Sequence, residues 1–337
     1  MCQRRYVCRR AQIAGSLVLC ALVSGCSPGN REHETQVRSQ VWVAPEHTQL
    51  AGTQISVPFE YLNNRNIPVV QVHINGSGPF TFVLDTGLTG LILSSRLAAR
   101  LNLPATSGQT VSLDTPGGKL KLGHLRRIRT VKLGDVQFNN LDACVMKLDR
   151  ISETVDSQVD GILGLKVFAA CRLTIDYPAK KVVLDSLETA QPLAVDGLDT
   201  LELKSIAGGV LAAPVKINKG VLWCMIDSGW NDGMAVPKDI AAVLPLAGPP
   251  VRWSGSTQTF GGTIAIWEAK LNGSALLGHH ELAKPIIRIY PGSPLIGSGT
   301  LRHFAVTIDQ QAMIARFARL ADGPIRSARQ LPSPDQP

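Results

Sequence analysis

Two aspartates could do chemistry together, because each ends an apolar run and is followed by a hydroxyl residue and a glycine. Asp85 lies in the run Phe82–Gly87, and Asp227 lies in the run Cys224–Gly229. Two carboxyl groups held about 3 Å apart cannot both ionise, so they share one proton. The charged member can take a proton from a water while the neutral member gives one to a carbonyl oxygen. The pattern therefore predicts acid–base chemistry with a water nucleophile.

The elements that must position these aspartates occur twice, in residues 56–186 and in residues 203–318. Gly164 and Gly297 each end an apolar turn, and each stands 12 residues before the aspartate of a Thr-Ile-Asp sequence. Agreement in both order and spacing indicates an internal repeat, in which each copy is one structural unit. We therefore expect an approximate two-fold axis that brings Asp85 and Asp227 together.

The composition predicts an all-β fold, with 31 glycines, 21 prolines and 45 % hydrophobic residues in 337. Apolar runs of strand length are bounded by Gly, Asn, Asp and Pro turns throughout. We expect two pseudo-symmetric β-lobes, over residues 55–190 and 191–321, with residues 187–202 as the crossover. Short helices are expected at 94–101 and 237–244.

The paired Asp-Thr-Gly and Asp-Ser-Gly sequences, each after an apolar strand and before an apolar turn ending in glycine, resemble the aspartic protease superfamily. The resemblance covers nearly all of residues 56–318. The single chain with two halves is similar to pepsins, while the short lobes look closer to two fused retropepsin subunits. The resemblance implies a bilobal pepsin/retropepsin-like acid protease fold.

The resemblance also implies an activity, that of an aspartic-type endopeptidase acting on peptide or protein substrates without a cofactor. Its catalytic residues would be Asp85 and Asp227. Both active loops lie in one chain, so dimerisation is not required for catalysis. In the family, hydroxyl residues bond across the axis and glycines allow close approach to the carboxyl groups. The corresponding residues here are Thr86, Gly87, Ser228 and Gly229.

Two segments are candidates for flaps that close over a bound peptide. Residues 111–122 and 258–270 alternate in polarity about a glycine pair, and neither pair is flanked by the tyrosine that marks the single flap of pepsins. The glycine pairs are Gly117, Gly118, Gly261 and Gly262. The alternative interpretation is an ordinary hairpin turn at each pair.

The third residue after each aspartate departs from the family pattern. Leu88 and Trp230 stand where pepsins have Ser or Thr and retropepsins have Ala. Their bulk could fill the core or narrow the substrate pocket. A second hypothesis therefore stays open, that of a catalytically silent pepsin-like scaffold that binds peptides or envelope partners.

Other polar residues carry weaker signals. Asp160 has no acidic counterpart in the second copy, so we expect a structural role, and Asp232 is typical of a turn former. His279 and His280 are adjacent, but no third ligand stands at metal spacing, so no metal site is predicted. The net charge is +8, and removal of four leader arginines leaves 8 − 4 = +4. Because no stripe of Lys and Arg among aromatics is present, no nucleic-acid partner is predicted.

Three cysteines remain in the part of the chain that is expected to fold. They are Cys144, Cys171 and Cys224. An odd number gives no complete disulfide framework. Buried free thiols are favoured, and one bridge between Cys144 and Cys171 is the alternative.

The N-terminal residues have the pattern of a secretory signal peptide followed by a membrane anchor. Residues 1–10 are basic and residues 11–23 are apolar, and the run ends in Val-Ser-Gly-Cys at Cys26. This order resembles the signal peptide and lipobox of bacterial lipoproteins, whose cysteine is diacylated and becomes residue one of the mature chain. We expect a signal peptide over 1–25, a tether over 26–54 and a location at the periplasmic face of the outer membrane. Residues 322–337 are rich in Pro, Ser and Arg and are expected to form a disordered tail.

The lipobox assignment predicts that the native protein begins at an acylated Cys26 and partitions with membranes, since more than one acyl chain gives stable anchoring. Cys26→Ala should abolish acylation. Mass spectrometry of the native N-terminus checks this. An unmodified N-terminus at another position would contradict it.

Overall fold

A computed structural model describes residues 44–63, 65–115, 118–253, 257–259 and 262–326. The predicted signal peptide, the acylation site Cys26 and two of the flap glycines, Gly117 and Gly261, lie outside these ranges. So do most of the predicted tether and most of the predicted tail.

The all-β prediction is confirmed, because the described ranges contain many short strands and only a few helical turns. The strands of the first half are β1 (His47–Leu50), β2 (Gln54–Pro58), β3 (Glu60–Tyr61), β4 (Pro68–Ile74), β5 (Ser77–Asp85), β6 (Leu91–Ser94), β7 (Ala105–Thr115), β8 (Gly118–Leu133), β9 (Val136–Met146), β10 (Gly161–Gly164), β11 (Cys171–Asp176) and β12 (Lys181–Ser186). Those of the second half are β13 (Thr200–Glu202), β14 (Lys204–Ser205), β15 (Leu211–Ile217), β16 (Gly220–Asp227), β17 (Met234–Val236), β18 (Val251–Arg252), β19 (Thr257–Thr259), β20 (Gly262–Ile264), β21 (Trp267–Lys270), β22 (Ser274–Leu277), β23 (His280–Ala283), β24 (Ile286–Ile289), β25 (Leu295–Gly297), β26 (Ala305–Asp309), β27 (Ile314–Ala318) and β28 (Ile325–Arg326). The helices are α1 (Ser95–Arg100), α2 (Asp149–Val155), α3 (Lys238–Val243) and α4 (Ser298–Leu301), with 3-10 turns at Leu165–Phe168 and Ala207–Gly209.

The first-half sheet, formed by β1 and β3–β10, positions Asp85 at the end of its central strand. Strand β5 pairs antiparallel with β4 and parallel with β10, and β10 pairs antiparallel with β6. The register of the parallel pair sets Asp85 opposite Gly164. The sequence favours a central place for β10, because Gly-Ile-Leu-Gly has no charge and all four residues are buried.

The second-half sheet, formed by β14–β18, β21–β25 and β28, repeats this arrangement around Asp227. Strand β16 pairs antiparallel with β15 and parallel with β25, and β25 pairs antiparallel with β17. Here Asp227 stands opposite Gly297. The two halves therefore use the same strand connections, as the sequence repeat predicts.

A six-stranded joining sheet contains strands from both halves, in the order β13-β27-β26-β11-β12-β2. Its central pairing is antiparallel between β11 and β26, which end in the two Thr-Ile-Asp sequences. The hydroxyls of Thr174 and Thr307 lie 2.8 Å apart across this pair. One continuous cluster of buried apolar side chains extends through both halves. The joining sheet therefore fixes the positions of the two aspartate-bearing strands relative to each other.

The predicted helices form where expected. Helix α1 begins after Ser94, whose hydroxyl accepts a hydrogen bond of 3.1 Å from the Leu97 N–H, as a helix N-cap does. Helix α3 lies within the predicted stretch 237–244. None of the helices in the described ranges is long and apolar enough to cross a membrane.

Two short strands correct the expected extents of the tether and the tail. Strand β1 lies within the segment assigned to the tether and pairs with β9. Strand β28 lies within the segment assigned to the tail and pairs parallel with β23. Both are edge strands whose sequences, HTQL and IR, lack a continuous apolar run. Backbone pairing with a sheet edge holds such strands together with one apolar side chain each, Ile325 in the core and Leu50 packed against it. A single apolar residue leaves little signal in the sequence.

Candidate active site

The structure brings Asp85 and Asp227 together at the meeting point of the two sheets. Their carboxyl groups hydrogen-bond to each other. The Gly87 N–H donates to Asp85 Oδ1 at 2.9 Å, and the Gly229 N–H donates to Asp227 Oδ1 at 2.9 Å. Each carboxyl is thus held by its own loop and faces the other.

Only glycine fits after the hydroxyl residue of each loop, because the carboxyl group of the opposite loop leaves no space for a side chain there. A Cβ added at Gly87 would lie 2.6 Å from Asp227 Cγ, and one added at Gly229 would lie 2.6 Å from Asp85 Cγ. Both distances are well below van der Waals contact. Any side chain at either glycine would therefore push the two carboxyl groups apart.

Thr86 and Ser228 lock the two loops together through four reciprocal hydrogen bonds. The Thr86 hydroxyl donates to the Ile226 carbonyl at 2.7 Å and accepts from the Ser228 N–H at 3.0 Å. The Ser228 hydroxyl donates to the Leu84 carbonyl at 2.7 Å and accepts from the Thr86 N–H at 2.9 Å. Both hydroxyl residues are buried, so water cannot replace these bonds. The predicted contact across the axis is therefore present.

Burial disfavours ionisation of the carboxyl pair. It raises the pKa of Asp85 to about 6, against the lowering effect of hydrogen bonds from Gly87 and Asp227. Burial also raises the pKa of Asp227 well above its ordinary value, and the negative charge of Asp85 adds to this effect. The two groups titrate as one unit, because ionisation of either one makes ionisation of the other harder. Such a pair keeps one proton over a wide range of pH.

The apolar turns at Gly164 and Gly297 form the floor beneath the loops. The Gly164 N–H donates to the Gly90 carbonyl at 2.9 Å, and the Gly297 N–H donates to the Gly233 carbonyl at 2.6 Å. A Cβ at Gly164 would lie 2.2 Å from the Gly90 oxygen, and one at Gly297 would lie 2.4 Å from the Asp232 oxygen. These glycines allow the backbone of each turn to pack directly against the active loop.

Sequence reasoning missed a buried pair beneath the second loop. The Ser298 hydroxyl donates to the Ser228 carbonyl at 2.7 Å, and Tyr177 Oη lies 3.0 Å from Ser298 Oγ. The available signal was an asymmetry of the repeat, because Ser298 follows Gly297 whereas Leu165 follows Gly164.

Leu88 and Trp230 occupy different surroundings. Leu88 is buried in an apolar cluster with residues that include Val83, Ile92 and Ile162, so its bulk fills the core. Trp230 is half-buried, and its ring packs against Tyr290 with centroids 5.0 Å apart. Of the two departures from the family pattern, only Trp230 is partly exposed.

Both predicted flap segments form antiparallel hairpins. Strands β7 and β8 end with Thr115 opposite Gly118, and strands β19 and β20 end with Thr259 opposite Gly262. The φ angle of Gly262 is +123°, a conformation that only glycine adopts without strain. The side chain of Ile264 in the second hairpin is buried in the cluster against which Trp230 packs. This hairpin is therefore anchored near the second active loop.

Asp160 and Asp232 both hold neighbouring segments. Asp160 is buried, accepts from the Thr81 N–H at 3.0 Å and pairs with Arg96 at 3.0 Å, as expected for a structural residue. The prediction for Asp232 was incomplete, because its carboxylate also pairs at 3.1 Å with the buried Arg288, which pairs in turn with Glu268. This network lies directly after the second active loop.

The structure supplies a third polar partner for the histidine pair. Asp199 Oδ1 lies 3.3 Å from His279 Nδ1 and 2.9 Å from His280 Nε2. The sequence could not identify it, because Asp199 belongs to the crossover. His280 Nε2 is also 2.9 Å from the Phe317 carbonyl oxygen. That nitrogen is thus already engaged in a hydrogen bond, and we assign no metal to the cluster.

All three cysteines of the described ranges are buried and free. The favoured interpretation is therefore confirmed, and the alternative bridge between Cys144 and Cys171 is wrong. Burial raises the pKa of the Cys144 thiol to about 12 and that of Cys171 to about 11. These thiols are packing residues, since only the thiolate is reactive.

Comparison with known families agrees with this geometry. A family model described as aspartyl protease matches residues 70–167, which include the first active loop and its apolar turn. Comparison with curated proteins gave no match. Taken with the strand arrangement, the match gives the chain an all-β, aspartic protease-like fold, and it supports an aspartic protease family.

The reciprocal hydroxyl bonds predict a specific stability difference at position 228. Ser228→Ala would leave the buried Thr86 N–H and Leu84 carbonyl without partners and should cost about 1–3 kcal/mol. Ser228→Thr keeps the hydroxyl and should remain close to the original stability. Urea denaturation of the two variants checks this. Equal stability of the alanine and threonine variants would contradict the assigned bonds.

Proposed function

We propose that this protein is an aspartic-type endopeptidase that hydrolyses peptide bonds with a water activated by Asp85 and Asp227. The observation that carries the proposal is the carboxyl pair itself. Two carboxyl groups hydrogen-bond to each other on loops of matching structure, and burial raises the pKa of both. A pair that shares one proton contains the base and the acid that amide hydrolysis requires.

The proposed reaction proceeds through a tetrahedral intermediate. The ionised carboxylate takes a proton from the water, whose oxygen forms a bond to the peptide carbonyl carbon. The protonated carboxyl gives its proton to the carbonyl oxygen, so the intermediate is a neutral diol. The carboxyl that took the water proton then gives it to the nitrogen and the C–N bond breaks. One hydroxyl of the diol returns its proton to the other carboxylate, so the products are a carboxylic acid and an amine. The pair ends with one proton, as it began.

The hairpins of β7–β8 and β19–β20 are the proposed flaps for a peptide substrate. Closure over the bound chain would exclude water and supply backbone hydrogen bonds. Gly118 and Gly262, which begin the second strand of each hairpin, suit this role, because glycine lets the backbone approach a ligand closely. Gly117, Gly118, Gly261 and Gly262 are the proposed flap glycines.

We also propose that the enzyme is anchored to the cell envelope through acylated Cys26, at the periplasmic face of the outer membrane. The order of basic, apolar and small residues before Cys26 supports this part of the proposal. Its substrates would then be peptides or proteins of the same compartment.

The second candidate function is a silent scaffold that binds peptides or envelope partners. Trp230 favours it, since this half-buried indole stands where the family has a small residue. Leu88 no longer favours it, because its side chain packs into the core. Both active loops retain their aspartate, hydroxyl residue and glycine, and for that reason we prefer catalysis.

Replacing either aspartate of the pair tests catalysis directly. Asp85→Asn and Asp227→Asn should each lower kcat roughly a hundred- to ten-thousand-fold, because each removes one partner of the proton exchange. The fold should persist, since asparagine has nearly the same shape. Cleavage of a diverse peptide pool and thermal melting measure the two effects.

The matched control for these variants is Asp135→Asn, which changes an exposed carboxylate in a turn. Its activity should equal that of the unchanged protein. Near-normal turnover in either active-loop variant would show that the shared-proton mechanism is wrong. Absence of cleavage in the unchanged protein, with retained peptide binding, would favour the scaffold.

The raised pKa values predict a pH profile. Loss of the second proton inactivates the pair, and a raised pKa delays that loss to higher pH. Leu88 and Trp230 act in the same direction, because neither supplies the hydroxyl that lowers the carboxyl pKa in pepsins. The profile of kcat/KM on a fluorogenic peptide should be bell-shaped and centred in mildly acidic to near-neutral solution. An optimum in strong acid with no activity near neutrality would contradict this account.

A further inference from the structure

Tyr177 and Ser298 form a buried hydrogen-bond chain that ends at the second active loop. Ser298 Oγ lies 2.7 Å from the Ser228 carbonyl oxygen and 3.0 Å from Tyr177 Oη. The single hydroxyl proton of Ser298 goes to the carbonyl, which can only accept, so Tyr177 must donate to Ser298. At 1 % exposure for Tyr177 and 0 % for Ser228 and Ser298, no solvent competes for these bonds.

The chain continues through a peptide group to the carboxyl of Asp227. The Ser228 carbonyl and the Gly229 N–H belong to the same peptide unit, and that N–H donates to Asp227 Oδ1 at 2.9 Å. A hydrogen bond to the carbonyl end of a peptide polarises it and strengthens its N–H as a donor. Tyr177 and Ser298 therefore act on Asp227 without touching it.

The first active loop has no corresponding hydrogen-bond chain beneath it, although the glycine N–H bonds to the aspartate in the same way in both loops. The Gly87 N–H donates to Asp85 Oδ1 at 2.9 Å, but Leu165 stands at the position of Ser298 and has no hydroxyl. Gln310 occupies the position of Tyr177, and its amide donates to the Leu165 carbonyl at 2.8 Å. That bond ends on the floor of the site and does not reach the active loop.

We propose that Tyr177 and Ser298 are positioning residues for the carboxyl pair, holding and polarising the Ser228–Gly229 peptide so that it stabilises negative charge on Asp227. This inference rests on the proposed function. It assigns the carboxyl pair an asymmetry that arises where the two copies of the repeat differ.

The groups that face Asp227 identify what else could move its titration. They are Asp85 from the opposite loop, Tyr177 from below and Tyr290 from the end of β24. Burial raises the pKa of both tyrosines far above neutrality, so both stay uncharged over the working range. Within this set, only the carboxyl pair changes its charge over the working range of pH, by gaining or losing its shared proton.

The test compares pH profiles of the full-length chain and its variants on a fluorogenic peptide. Ser298→Ala removes the donor to the loop, and Tyr177→Phe removes only the hydroxyl behind it. Each should shift the profile to higher pH, by up to about one unit for Ser298→Ala and less for Tyr177→Phe, because a hydrogen bond to the charged form is lost or weakened. The loss of activity on the acidic side of the profile should appear in kcat, while KM should change little.

A double variant and a conservative variant separate positioning from general stability. Tyr177 acts through Ser298, so the double variant should match Ser298→Ala, and Ser298→Thr should restore the original profile. The matched control is Thr174→Val, which removes a half-buried hydroxyl of the joining sheet that does not bond to either loop. Its profile should not move.

The proposal is overturned if the profiles of Ser298→Ala and Tyr177→Phe stay in place, if the two shifts add, or if Thr174→Val shifts equally. A carboxyl titration by NMR with labelled aspartate gives the same comparison without turnover. If the unchanged chain cleaves no peptide, the proposed function fails. The NMR titration then still decides whether the hydrogen bonds from Tyr177 and Ser298 lower the pKa of the carboxyl pair.

Discussion

The hydrogen bond between the carboxyl groups of Asp85 and Asp227 sets the strictest constraint on this molecule, because two acidic groups resist being buried side by side. They stay together only if one proton remains and nothing occupies the space between the loops. That space is created by Gly87 and Gly229, since a side chain at either one would collide with the opposite carboxyl. The reciprocal bonds of Thr86 and Ser228 then hold the loops at that separation.

The same constraint explains why the surrounding sheets follow one plan twice. Each aspartate ends a strand that is clamped by a parallel neighbour, β10 for the first and β25 for the second. The joining sheet pairs β11 with β26 and thereby connects the two clamps through backbone hydrogen bonds. A small rotation of one half would break the loop contacts, so the shared core and the joining sheet keep the carboxyl pair intact.

The sequence was sufficient for features that repeat and insufficient for those that do not. The active loops, the apolar turns and the short helices follow from motifs present in both halves, and they lie where predicted. Strands β1 and β28 pair through their backbones and carry no apolar pattern. Asp199 and Tyr177 reach their partners only after folding, from the crossover and from the end of β11. Side-chain contacts between distant segments leave no periodic signal.

A pair that shares one proton is asymmetric at every moment, even when its scaffold is nearly symmetric. An exact repeat would give each carboxyl the same hydrogen bonds and no preference for the charge. Here Leu165 and Gln310 lie beneath the first loop where Ser298 and Tyr177 lie beneath the second, and Leu88 stands in the first loop where Trp230 stands in the second. These differences lie below and beside the loops and leave the Asp, hydroxyl and Gly positions unchanged. The duplicated loops can therefore bring the carboxyl groups together, while the residues below and beside them, which differ between the two copies, distinguish one carboxyl from the other.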